Sequence, residues 1–118
     1  EHHNIDVAFS QALQKCFMFL FFIATKLEAF RTRGNGDARV SYDMEDIIAV
    51  LDGRSGIDDE IADAAPRVRS FIAGEFRQLA KDPDFHDAIQ GYLSVSPDPA
   101  TRRETVRARI AAITQEHP

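Results

Sequence analysis

At 118 residues the chain supports one hydrophobic core and not two. Charged residues at 28% and hydrophobic residues at 44% are the balance of a folded globular domain, which excludes disorder except at the ends. A net charge of −5 weighs against a nucleic-acid binder, which neutralises phosphates with a basic face, and one cysteine excludes both an internal disulfide and a zinc framework.

Residues 1–6 read as a tail, and His2 and His3 have the look of a tag remnant. From residue 7 to residue 31, Phe9, Leu13, Phe17, Leu20, Ala24, Leu27 and Phe30 recur at steps of three and four, the stripe of an amphipathic helix. Cys16, Met18, Phe19, Phe21, Phe22 and Ile23 fill the remaining faces over two turns, and a helix apolar all round must be buried all round. Such a helix would be ~37 Å long and would cross the whole domain. A strand starting near Phe17 is the competing reading, because phenylalanine favours strands and short apolar runs are ambiguous. Within the run Cys16 serves as a small hydrophobe, which fits a reducing, cytoplasmic setting. Lys15 and Lys26 bracket the run, leaving it short of the ~20 apolar residues of a membrane span. An acidic start and the lack of a cleavage-like site weigh against a signal peptide.

Gly34, Asn35 and Gly36 place a loop between Thr32 and Tyr42. Met44, Ile47, Ile48 and Leu51 then form a strict i, i+3, i+4, i+7 stripe, a helix over 43–52 stopped by Gly53. Asp58 is the expected cap of a third helix with Ile57 and Ile61 turned inward. Pro66 suits the first turn of a fourth helix, which buries Val68, Phe71, Ile72, Phe76 and Leu79 and ends near Lys81. Asp82 and Pro83 open a fifth helix over Phe85, Ile89 and Leu93, "SVSPDPATRR" reads as a linker-like turn, and Val106, Ile110 and Ile113 mark the last helix. The expectation is an all-α single domain of five or six helices: a long apolar first helix and a bundle of short helices over 43–115.

Three features bear on chemistry. "RGNGD" has the glycines of a phosphate loop but follows no clear strand and lacks the P-loop lysine and hydroxyl residue, so a helix connection explains it as well. Asp43 and Asp46, three apart on one helix face, either share a cation or a basic partner, or complement the helix dipole in a first turn. Lys26, at the end of the apolar run, either binds phosphate as a point charge or snorkels to water. Arg102, Arg103, Arg107 and Arg109 face eight acids between residues 43 and 63, and internal pairing is their expected use. His86 and His117 have no ligand-like spacing, and no metal site or catalytic triad can be assembled.

The stretch "FFIATKLEAFRTRGNGDARVSYDMEDIIAVLDGR" resembles the second half of AbiEii-type nucleotidyltransferases, a group that includes abortive-infection toxins. The shared forms are A-T-K-L-x-A at residues 24–29, R-G-x-G at 33–36 and D-x-x-D at 43–46, and the likeness runs loosely from residue 20 to 115. It implies that Lys26 and Arg33 bind the nucleotide and that Asp43 and Asp46 support catalysis. The chain by itself is expected to hold no cofactor, with magnesium and a nucleoside triphosphate entering only where a complete active site exists. The family's metal-binding carboxylates lie on an upstream sheet that this chain does not contain, and "DDE" at 58–60 stands at a helix start. Phosphoryl transfer needs metal ions to neutralise developing charge, so the chain is expected to be inactive alone. Its implied partners are an upstream catalytic half or an antitoxin. The alternative is a non-catalytic helical interaction module, a homodimer joined through the first helix with Phe19 or Phe21 facing outward.

Overall fold

Six α-helices follow one another: α1 (His2–Arg33), α2 (Tyr42–Gly53), α3 (Ile57–Ala62), α4 (Pro66–Ala80), α5 (Pro83–Leu93) and α6 (Pro99–Thr114). They are seen in a computed structural model that describes residues 2–33 and 42–115, with side chains for residues 11, 18–32 and 42–115. Among the described residues there is no strand, and none of the helices is long and apolar enough to cross a membrane. The strand reading near Phe17 is therefore corrected to helix. The glycine turn at 34–36 and the side chains of Phe9, Leu13, Cys16, Phe17 and Arg33 lie outside the described residues.

Pro66 and Pro83 begin α4 and α5 as the sequence predicts, and Pro99 begins α6; at each start a missing N–H costs nothing. Asp82 caps α5 by accepting a hydrogen bond from the Asp84 backbone N–H at 3.0 Å. Two starts differ from expectation. α3 is preceded by Gly56 in the left-handed region (φ 86°), and Asp58 lies inside the first turn with Asp59 and Glu60. Three residues, 54–56, join α2 to α3, and Gly56 is the one with a positive φ. A Cβ at Gly56 would meet nothing within 4 Å, so glycine is needed there for conformation and not for space. α6 begins at Pro99, so "PATRR" belongs to the helix and not to the linker, and Asp98 leads in with φ 52°.

Helix C-termini are closed by side chains from elsewhere in the fold. Arg109 donates to the Leu51 and Asp52 carbonyls at the end of α2, Arg69 to Ala62 at the end of α3, and Arg77 to Thr114 at the end of α6. His86 Nε2 lies 2.8 Å from the Ala80 carbonyl oxygen at the end of α4. The arginine donors at the ends of α2, α3 and α6 satisfy orphan carbonyls and oppose the negative pole of the helix.

One core joins all six helices. Leu20, Ile23, Leu27 and Phe30 of α1 pack with Met44, Ile47, Ile48 and Leu51 of α2, Ile57 and Ile61 of α3, and the predicted stripes of α4, α5 and α6. Val68 is an exception to its stripe and lies exposed. The expectation that α1 is buried on every face is corrected. Its described side chains divide into a buried stripe and an outer side on which Met18 is 64% and Phe21 75% exposed. Residues 2–6, read as tail, continue the helix, and α1 extends two residues past Arg31. At 32 residues α1 is about 48 Å long, close to the 51 Å long dimension of the molecule, whose other dimensions are 33 and 31 Å.

Candidate functional site

The junction of α1 and α2 gathers three of the four sequence-predicted site residues. Lys26 leaves α1 beside the buried stripe, because Ile23, Leu27 and Phe30 fix the rotation of the helix around it. On α2 the buried Met44, Ile47, Ile48 and Leu51 likewise leave Asp43 and Asp46, one turn apart, on the side facing α1. Lys26 Nζ consequently stands 2.7 Å from Asp46 Oδ2 and 3.4 Å from Asp43 Oδ1. The lysine and Asp43 side chains are largely covered, with 26% and 13% of their surface exposed, whereas Asp46 is 47% exposed. Lys26 also lies 5.6 Å from the centre of the Phe22 ring, so an aromatic face supports the ammonium from the α1 side. The fourth residue, Arg33, has its side chain outside the described residues, as does the R-G-x-G turn.

The Asp46 hydrogen bond holds the Lys26 amine above its ordinary pKa of 10.5, with partial desolvation opposing it and Asp43 adding to it. A lysine whose folded pKa is raised contributes stability that is complete below 10.5 and fades as pH climbs through the folded value. The ¹³C resonance of the Lys26 ε-methylene is therefore expected to titrate with a midpoint above 10.5. A midpoint at or below that value would mean that the two ion pairs do not persist in solution.

Chemically, the site offers one ammonium and two carboxylates at the N-terminus of α2, open to solvent on the Asp46 side. The carboxylates complement the positive pole of α2 as well as Lys26. Among the described residues no group of three or more His, Cys, Asp or Glu side chains could hold a metal ion by itself. A pair of carboxylates is nonetheless the donor set that magnesium takes when phosphate oxygens and water complete its shell.

One neighbouring arrangement was not legible in the sequence. Arg54 stacks on Phe19, its guanidinium carbon 3.5 Å from the ring centre, and bonds Glu60 at 3.0–3.1 Å. Phe19, expected to face outward, is thus roofed by an arginine from beyond α2. Of the basic residues of α6, Arg102 pairs with Asp52 through both carboxylate oxygens, as internal pairing predicts, while Arg109 serves the end of α2. No protein-family model matches the chain, and no curated protein or solved structure matches it significantly either.

Proposed function

We propose that the chain is a helical domain of the C-terminal type found in nucleotidyltransferase-like proteins, and that its α1–α2 junction holds nucleotide phosphate. The observation that carries this reading is the meeting of Lys26 with Asp43 and Asp46, the three residues that stand in the A-T-K-L-x-A and D-x-x-D motifs. Lys26 is the phosphate ligand, and the two aspartates hold it in place and present oxygens to magnesium. When bound, magnesium neutralises phosphate charge that the lone ammonium cannot. Among the described residues there is no sheet of the kind that carries the family's metal-binding carboxylates, and on this reading the domain works with a catalytic half or under an antitoxin-type partner.

Binding of ATP or GTP with magnesium is expected at millimolar nucleotide and is read by NMR. Amide signals near Lys26, Asp43 and Asp46 shift, and Lys26→Ala abolishes the shifts. An unperturbed wild-type spectrum at saturating nucleotide would reduce the cluster to a clamp between two helices. A second reading, a non-catalytic module that forms a homodimer through α1, is favoured by the exposed Met18 and Phe21. Large apolar side chains left adjacent on one surface mark interfaces more often than chance.

A further inference from the structure

A groove of about 290 Å³ runs between α1 and α4, lined by Phe21, Ala24, Thr25 and Glu28 on one side and Arg67, Val68 and Phe71 on the other. Farther along, Arg31 bonds Glu75 at 2.8 Å and lies over the Phe71 ring at 5.8 Å. Later residues of α1 thus meet later residues of α4, and the two helices run in the same direction. Arg67 accordingly stands at the Phe21 end of the groove and Glu28 near its Phe71 end. Neither Glu28 nor Arg67 has an ion-pair partner among the described residues. Phe21, at 75% exposure, stands out of the surface beside the groove.

We propose that the occupant of this groove is a second copy of the chain, related by a two-fold axis across its middle with the α1 helices antiparallel. A groove with opposite charges at its two ends is self-complementary under such an axis: Arg67 of each copy meets Glu28 of the other, twice. The same rotation carries each Phe21 to the Phe71 end of the opposite groove, where an aromatic wall and Thr25 receive it. With the axis at residues 24–25, the two antiparallel α1 helices overlap over residues 16–33, about 27 Å, and so continue alongside each other for about a turn past the groove at each end. That extra length supplies the area that a stable interface needs beyond so small a cleft. The proposal rests on the homodimer reading and is independent of the nucleotide reading.

Sedimentation velocity across the micromolar range tests it, with circular dichroism as the control for folding. The wild type is expected to dimerise, and Phe21→Glu to be a folded monomer, because it sets a carboxylate against an aromatic wall. Arg67→Glu opposes two carboxylates and weakens the dimer by about tenfold. Adding Glu28→Arg to that variant re-forms the pair with reversed polarity and recovers the wild-type constant. A dimer that survives both Phe21→Glu and Arg67→Glu would overturn the groove as the contact while leaving the dimer reading intact. A wild type that is monomeric at every concentration would overturn both and give the groove to a different protein.

Discussion

Phe76→Ala is expected to remove about 3–5 kcal/mol of folding stability, the range for deleting a fully buried aromatic ring. Phe76 has no exposed surface and ranks with Phe85 as the largest wholly buried side chain. Its helix, α4, packs against α1, α3, α5 and α6. A void at that position is therefore walled by elements that are each held by other contacts, and little collapse can fill it. The loss is about a fifth or more of the ~5–15 kcal/mol that keeps such a domain folded. Urea unfolding followed by circular dichroism measures it, and the midpoint should fall with the slope unchanged. Gln78→Ala on the same helix is the control, since Gln78 is exposed and should cost within about 0.5 kcal/mol. Equal losses in the two variants would mean that α4 is not the centre of the core.

The same helix shows what could be read from the chain alone. Periodicity located Ile72, Phe76 and Leu79 because burial along one helix repeats every three or four residues, and a local rule sees a local repeat. Pro66, Pro83 and Asp82 marked starts because their effect is confined to one turn. Periodicity misled in α1, where apolar residues on the outer side resemble core residues in composition, and only the position of α4 decides that Phe21 lies beside a groove. Gly56 went unread because its φ is imposed by the direction in which α3 must leave α2, a property of the packed bundle. The motif resemblance points to Lys26, Asp43 and Asp46 as residues and not to their meeting. No sequence rule gives the distance between residues seventeen and twenty positions apart, and the two stripes that set it act through the core between them. Arg54 over Phe19 left no comparable signal, since an arginine just past a helix end has many partners within reach.

Breaking the Asp52–Arg102 pair is expected to cost different amounts depending on which partner is removed. Asp52 stands in the last turn of α2, a helix with no basic residue of its own there, so its carboxylate sits unfavourably at the negative pole. It is only 8% exposed, against 38% for Arg102. The Asp52 hydrogen bond holds the Arg102 guanidinium above its ordinary pKa, against some desolvation. Arg102→Ala leaves a covered carboxylate without the cation that bonds it, at a helix C-terminus where Arg109 is engaged with the backbone carbonyls. Asp52→Ala leaves a guanidinium that can turn to water, while Arg109 still serves the Leu51 and Asp52 carbonyls. The drop in thermal midpoint should therefore be about twice as large for Arg102→Ala as for Asp52→Ala, because a stranded covered charge costs more than an exposed one. Introducing Asp52→Ala into the Arg102→Ala background should raise the midpoint, since it removes the stranded charge. That sign reversal is what a double-mutant cycle reads most clearly. If the two single losses are equal and simply add in the double variant, the pair is a solvated surface contact, and α2 is held to α6 by Arg109 and the core alone.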